Sequence, residues 1–425
     1  MNPALDRIVV INDLSHPMGG ASALAVSSAR QFAERGYRVT LLSGDAPDPA
    51  LGKAGIAATG LGQSRLLGRG GALLDGLWNR AAARMIRRWI AAHDTPRTVY
   101  HLHGWSQILS PSVFAALAPV RQRLVISAHD FFLACPNGAF TRFKTGEPCP
   151  HTALSRACLA EACDRRGQAH KLWRVARYAL QRFAYQPQSS PPVLAIHSAM
   201  RPMLARAGIP AEVIQSLPNP VIPFSNTRIT AERNDTLLFV GRIEATKGAD
   251  LALAAARRAS VPIILVGDGA DRPRLAAEYP EAHFAGRLAP EAIGALAAAA
   301  RMLVMPSRYP EPYGLVAMEA ALAGLPVILP PTALLAADLV AAGAANAVYP
   351  QDIAAHSAVL AALARDDGRV EAMSRAGFTA TRHLALSPEE WIDRLLAHYA
   401  ARLEPGQATA GARSASGSKL ITAGA

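Results

Sequence analysis

Two carboxylates near the middle of the second half of the chain are placed to handle a sugar or a nucleotide. Glu311 and Glu319 have seven residues between them in the stretch RMLVMPSRYPEPYGLVAMEAALAGLPVILP, residues 301–330. The apolar run 302–305 has the length of a buried strand. Pro306, Pro310 and Pro312 keep the next segment out of a helix. Gly314 then opens a helix that Gly324 closes, and 327–329 forms the next strand. The amides of Tyr313, Gly314, Leu315 and Val316 fall at that helix start, which attracts phosphate. Side chains on a helix lean toward its N-terminus, so Glu319 reaches for the same mouth and can accept two hydroxyl hydrogen bonds, as from a ribose. Glu311 sits where a sugar could hang from the phosphate.

Two cations follow an earlier strand of the same half. Arg242 and Lys247 lie in GRIEATKG after the strand 236–240, one suited to grip a diphosphate as a fork and the other as a point charge. Near the N-terminus, the strand 7–12, the loop DLSHPMGG and a helix over 21–35 begin a nucleotide-type fold. Gly19 and Gly20 would let backbone amides approach a phosphate. The pair lacks the G-x-G-x-x-G spacing of dinucleotide enzymes, which counts against a dehydrogenase. Three histidines sit at or beyond strand ends, where open α/β sheets bind ligands. His101 reads best as a buried strand residue, and His103 reads equally well as core or site. His129 reads as functional because Asp130 and FFLACPNG follow it.

All four cysteines lie in one segment, with spacing C-x13-C-x8-C-x4-C across Cys135, Cys149, Cys158 and Cys163. Clustered thiols in a reducing compartment bind metal or stay free. The segment could therefore hold a structural zinc or an iron–sulfur cluster, or carry four separate buried thiols. The spacing lacks the tight C-x2-C knuckle of common zinc sites. Two basic helical stretches, residues 72–93 and 171–183, lie in the N-terminal half. The second carries Leu172, Val175, Ala176, Ala179, Leu180 and Phe183 on one face. Both stretches fit weak, salt-sensitive attachment to anionic lipid, and both also fit ordinary surface helices.

The elements that must hold these residues alternate strand and helix throughout, the pattern of parallel sheets. With 425 residues the chain is long for one core, so two domains are expected. A formal charge of +12 suits anionic substrates or an anionic membrane surface. No zinc-finger, RRM or helix-turn-helix pattern points to nucleic acid. No apolar stretch reaches membrane-spanning length. The N-terminus runs directly into a strand without a signal peptide, which gives a cytoplasmic expectation. In SPEEW, Ser387, Pro388 and Glu390 form a capping box that starts the last helix. The small-residue tail after it is expected to be disordered, and 64–71 reads as a basic, Gly-rich loop.

VGRIEATKG, VGDGA and EPYGLVAMEA, with the N-terminal GGA loop and HDFFLACPNG, resemble the retaining GT-B glycosyltransferases of family 4. The resemblance implies two Rossmann-like α/β domains facing each other across a cleft, with a C-terminal helix crossing back to the first. The expected parts are an acceptor-side domain at 1–217, a nucleotide-sugar domain at 218–385, the returning helix at 386–403 and a tail at 404–425. It implies that Arg242 and Lys247 bind the donor diphosphate and that Glu319 binds the ribose. Glu311 and the amides of Tyr313, Gly314, Leu315 and Val316 would hold sugar and phosphate. Gly19 and Gly20 would approach from the other domain, and His129 would lie by the transferred sugar. The implied reaction moves a sugar, with retention, from a nucleotide-diphosphate donor to a growing or lipid-linked glycan, as in polysaccharide biosynthesis. No D-x-D motif is present, so no metal is expected in catalysis. The enzyme would be cytoplasmic, peripheral on the inner face of the cell membrane. The rival readings are another GT-B enzyme such as a sugar-nucleotide epimerase, and a non-catalytic nucleotide-sugar-binding protein. One stretch departs from the family pattern: PPTALLAADLVAAGAAN replaces a Gly-Gly segment followed by Glu.

Overall fold

The computed structural model describes residues 4–65 and 72–404. The expected tail from 405 and most of the Gly-rich loop, 66–71, lie outside the described residues. The strands are short, most of them are apolar, and the pairings described between them are parallel. The first sheet is built from β1 (Arg7–Asn12), β2 (Arg38–Ser43), β3 (Ala57–Gly60), β4 (Thr98–Leu102), β5 (Leu124–Ala128), β6 (Val193–Ala195) and β7 (Ile214–Ser216), in the order β3-β2-β1-β4-β5-β6-β7. The second contains β8 (Thr236–Val240), β9 (Ile263–Val266), β10 (His283–Gly286), β11 (Ala300–Val304), β12 (Val327–Leu329) and β13 (Ala345–Ala347), in the order β10-β9-β8-β11-β12-β13. Every residue of β4, β5 and β11 is buried, as expected for strands covered on both faces. The register places Ile8 beside Val39 and Val99, so β1 lies at the centre of its sheet's apolar layer.

Among the described residues, one compact unit takes 4–65, 79–126 and 394–404, and the other takes 72–78 and 127–393. The first unit includes the end of the last helix, Pro388–Ala401. There the Tyr399 hydroxyl lies 2.6 Å from His101 Nδ1 on β4, and its ring lies 5.5 Å from that of Phe32. Arg402 Nε donates to the Gln122 carbonyl at 2.9 Å. The expected capping box starts this helix: the Ser387 N–H donates to Glu390 Oε2 at 2.8 Å, and the Glu390 N–H donates to Ser387 Oγ at 3.1 Å.

Three sequence expectations need correction. The single helix expected over 72–93 is two, Leu73–Leu77 and Arg80–His93. Asn79 interrupts it by acting as the N-cap of the second, its side chain accepting from the Ala82 N–H at 3.1 Å. Its own N–H donates to Ser110 Oγ at 2.7 Å, so the break is anchored in the first unit. The strand expected over 302–305 instead runs Ala300–Val304, as β11, and takes in Arg301. There its buried guanidinium donates to the carbonyls of Leu363 and Asn234 at 2.8 and 2.9 Å. Third, the helix expected over 171–183 is longer, Gln168–Tyr185; of the two readings given for it, an ordinary surface helix would bury its apolar face, and this one buries Lys171, Arg177 and Gln181 instead.

Candidate active site

Two loops of the second unit meet at the carboxyl ends of adjacent strands β8 and β11. The first leaves β8, forms a single 3₁₀ turn at Ala245–Lys247 and enters the helix Ala249–Ala259 through Gly248. Gly248 has φ 72°, and a Cβ there would stand 2.1 Å from the Pro306 carbonyl oxygen. Only glycine lets this loop run so close to the loop after β11. The contact is reinforced on both sides. The Arg308 N–H donates to the Thr246 carbonyl at 3.0 Å, and its guanidinium pairs with Asp250 at 2.7 Å.

VGDGA supplies a second close approach. A Cβ on Gly267 would stand 1.9 Å from the Gly241 carbonyl oxygen. The Gly241 N–H donates to Val266 O at 2.9 Å, and the Ile243 N–H donates to Asp268 O at 3.0 Å. The cationic loop is therefore clamped between its neighbours, and Lys247 emerges from a rigid frame.

Lys247 then pairs directly with Glu311, through Nζ and Oε1. Ser307 Oγ donates to the same carboxylate oxygen at 2.8 Å. The Lys247 ammonium also lies 5.2 Å from the Tyr309 ring centroid. Glu311 is 8% exposed and the Lys247 side chain 24%. Burial works against the ammonium, but Glu311 and Tyr309 outweigh it and raise the lysine pKa, so Lys247 stays charged. Arg242 is not part of this pair. Its guanidinium is mostly exposed and binds Glu244 at 2.8 Å. Each cation expected to face a diphosphate thus has a carboxylate partner in the structure.

The helix Leu315–Leu322 begins at Gly314 (φ 72°). Its first amides lie beyond the reach of intrahelical acceptors, as in any helix start. The Tyr313 side chain turns away from this mouth: its hydroxyl donates to the carbonyls of Asn219 and Leu384 at 3.3 and 3.0 Å. Tyr313 therefore offers only its backbone. Glu319 lies one turn inside the helix and is half-buried. Burial pushes its carboxyl up to about 7, so near neutral pH it exists in both protonation states. The departing segment after β12 packs behind the site, with the Leu334 N–H donating to the Glu311 carbonyl at 3.1 Å.

Residues 225–379 hold this whole arrangement, and they match the family model described as Glycosyl transferases group 1. Residues 18–223 match the model Glycosyltransferase Family 4. The chain belongs to the glycosyltransferases of the GT-B fold. Its two parallel sheets, of seven and six strands, are the two domains of that fold. Solved structures agree. A sucrose-phosphate synthase from Thermosynechococcus elongatus superposes with a TM-score of 0.67 at 17% identity, covering 93% of this chain and 98% of that one. HepE of Anabaena, crystallised with UDP-glucose, gives 0.64 at 17% identity, covering 93% and 99%. WaaG, a glycosyltransferase involved in lipopolysaccharide biosynthesis, gives 0.62 at 19% identity, covering 92% and 99%. No curated protein sequence matches the chain.

The glycosyltransferase's remaining candidate residues sit elsewhere. Gly19 (φ 92°) caps the helix Gly20–Glu34, and a Cβ there would meet nothing within 4 Å, so the backbone is open to a ligand. His101 is buried, as expected of a strand residue, and His103 Nε2 lies 3.1 Å from its Nδ1. His103 is 3% exposed, which places it in the core. His129 follows β5, and burial lowers its pKa to about 4, so its imidazole is neutral at pH 7. Asp130 accepts from the Phe132 N–H at 2.9 Å and shapes the turn after it.

The four cysteines are free and buried. Lys171 reaches into them: its ammonium donates to Cys163 Sγ and to the Cys158 carbonyl, each at 2.9 Å, and lies 3.9 Å from Cys158 Sγ. Burial pushes the Cys135 thiol up to about 11. Among the described residues, no three Cys, His, Asp or Glu side chains form a group able to hold a metal ion. As placed, the thiols do not fit one, and a lysine head group stands between two of them.

Sequence reading missed Ser307, Tyr309, Glu244 and the Arg308–Asp250 pair. The signal for the last was present, since Asp250 and Arg308 each lie within three or four residues of a predicted site residue. Their pairing needs the adjacency of β8 and β11, which sequence spacing does not supply.

Proposed function

We propose that this glycosyltransferase moves a sugar from a nucleoside-diphosphate sugar to a glycan or lipid-linked acceptor, with retention at the anomeric carbon. The observation that carries this reading is the part-buried Lys247–Glu311 pair at the meeting of two clamped loops, beside a helix start. A diphosphate leaving group develops charge as its bond to the sugar breaks, and fixed positive charge aimed at it lowers the barrier. Lys247 and Arg242 supply that charge, together with the amides of Tyr313, Gly314, Leu315 and Val316. Donor binding draws Lys247 toward the diphosphate, which frees Glu311 to accept hydrogen bonds from the sugar hydroxyls. Glu319 accepts from the ribose, Gly19 and Gly20 approach the phosphates, and His129 lies by the transferred sugar as a neutral imidazole. The HepE structures, bound to UDP and to UDP-glucose, support a nucleotide-sugar donor.

The chain holds no D-x-D motif, and the cationic loop takes the part that a metal ion plays at the leaving group elsewhere. In the proposed reaction the sugar–phosphate bond breaks while the acceptor oxygen attacks the same face. The acceptor proton passes to the departing phosphate oxygen. A cytoplasmic enzyme on the inner membrane face would meet a lipid-linked acceptor there.

Calorimetric titration with UDP and other nucleotides, followed by NMR of the sugar released from the bound nucleotide sugar, tests the reading. Binding with release of the retained anomer supports it. Absence of nucleotide binding refutes donor recognition. Binding with no transfer and no slow hydrolysis would make the protein a nucleotide-sugar binder instead. Release of the inverted anomer refutes retention.

A further inference from the structure

The helix Gln168–Tyr185 is turned opposite to its sequence pattern. Its polar residues Lys171, Arg177, Tyr178, Gln181 and Tyr185 are buried. Each contact made by the first four fixes the helix's rotation. Lys171 donates to Cys158 O at 2.9 Å, Arg177 Nε to Gly76 O at 2.8 Å, Gln181 Nε2 to Phe132 O at 2.7 Å, and the Tyr178 hydroxyl to Leu133 O at 3.4 Å. Buried polar groups are costly to strip of such partners, so the helix cannot roll to hide its apolar side.

That apolar side therefore faces solvent. Leu172 is 59% exposed, Leu180 37% and Phe183 81%. The short helix Leu73–Leu77 lies alongside, held by Trp173 Nε1 donating to Leu73 O at 3.1 Å. It adds Leu73 at 61% and Leu74 at 78% exposure. These side chains lie on convex helix surfaces and project outward, which differs from the walls of a groove.

The charge around them is mainly positive, with Asp75 of Leu73–Leu77 the one acid on the two helices. The helix Gln168–Tyr185 contains no Asp or Glu. Arg156, Arg165 and Arg166 are exposed nearby in sequence. The neighbouring acids are already engaged: Glu161 pairs with Arg142 at 2.8 Å, and buried Asp164 with Arg174 at 3.0 Å. Protruding aromatic and aliphatic side chains beside exposed arginines match the interface of a bilayer rich in anionic lipid. A protein partner of similar size would be expected to meet mixed charge at the rim.

We infer that the exposed faces of Leu73–Leu77 and Gln168–Tyr185 form a docking surface that inserts Leu74, Leu172, Leu180 and Phe183 into the interface of an anionic membrane. The inference deepens the proposed lipid-side function, but its test does not depend on that function.

The full chain is sedimented with sucrose-loaded vesicles of phosphatidylcholine, with and without phosphatidylglycerol, at low and high salt. Wild type is expected to pellet with the anionic vesicles at low salt. The variant Leu172→Ser/Leu180→Ser/Phe183→Ser should lose at least about tenfold in partition coefficient, given the apolar area it withholds from lipid. Its thermal melt and UDP titration should match wild type. The second variant, Arg165→Glu/Arg166→Glu, should lose binding to anionic vesicles only. Equal binding by wild type and the triple variant overturns the inference, as does absence of wild-type binding. Vesicle-independent pelleting with a dimer in sedimentation velocity, abolished in the triple variant, makes the face a self-association surface and also overturns it. Loss of UDP binding by wild type with vesicle binding intact would remove the donor reading and leave this surface standing.

Discussion

Removing the charge of Lys247 should destabilise the second unit and weaken nucleotide binding, and a double-mutant cycle separates the two effects. Lys247→Met leaves Glu311, 8% exposed, with the neutral hydroxyls of Ser307 and Tyr309 as side-chain partners and no cation. Breaking a fully buried pair costs about 3–5 kcal/mol, and an exposed pair is worth about 0–1 kcal/mol. The Lys247 side chain is 24% exposed, so the pair falls between these limits. Lys247→Met should then cost roughly 2–3 kcal/mol. Glu311→Gln should cost less, about 1–2 kcal/mol, because Lys247 keeps the Tyr309 ring and some solvent. The double variant should recover part of the loss, for a coupling of about 1–2 kcal/mol. Urea unfolding of the four proteins measures this from the midpoints of the transition of the second unit. In the same set, UDP affinity should fall only where Lys247 is lost. A coupling within about 0.3 kcal/mol of zero would refute the energetic role of the pair, since independent sites add to that tolerance. Undiminished UDP affinity in Lys247→Met would refute the diphosphate role while leaving the pair intact.

Glu319 should make stability depend on pH in an unusual direction for a carboxylate. Its folded pKa of about 7 exceeds the ordinary 4.5, so the native state binds the extra proton between those values. Stability should fall as pH rises through that window and level off above it, and Glu319→Gln should remove the slope and gain roughly 1–3 kcal/mol at pH 8 in urea titrations. His129, lowered to about 4, should contribute a stability loss as pH falls from its ordinary 6.5 toward 4, absent in His129→Gln. Gly248→Ala combines a positive φ with a clash against Pro306 and should cost about 1–3 kcal/mol by chemical denaturation, with a larger relative loss in UDP affinity. Asn79→Ala should lower stability by about 1–2 kcal/mol, read from the unfolding midpoint of the first unit, since it removes a helix cap. Transfer activity should survive EDTA, and loss restored by magnesium or manganese would overturn the metal-free leaving-group step.

Much of the fold was legible because parallel strands buried on both faces read as short apolar runs, and β1, β4, β5, β8 and β11 all do. Glu311, Glu319, Arg242 and Lys247 were legible by their place after strands. Their partnerships were not. Lys247 and Glu311 are 64 residues apart and meet only because β8 and β11 are neighbours. β3 and β13 were invisible, since AATG and ANA carry no strand pattern of their own and borrow it from β2 and β12. The Ala-rich region holding the helices Ile353–Arg365 and Asp367–Ala380 gave no clear periodicity to mark their limits. For Gln168–Tyr185 the helix was readable and its rotation was not. Periodicity reveals that a helix has two faces, and long-range partners such as Gly76 and Phe132 decide which one turns inward.

The hydrogen bond between Tyr399 and His101 spans 298 positions of sequence. On the ribosome, β4 is complete long before the residue that covers it has been joined to the chain. Until the final helix emerges, Phe32 lacks the ring against which it packs, and the first unit carries an uncovered apolar patch. Such an unfinished unit exposes sticky surface to chaperones and proteases, as do domains that wait for distant segments. A chain cut short before Arg394 should therefore fail in its N-terminal half, where none of its own residues are missing. Damage at the last helix would surface as aggregation of the first unit, and quality control would read the end of the message through the state of its beginning.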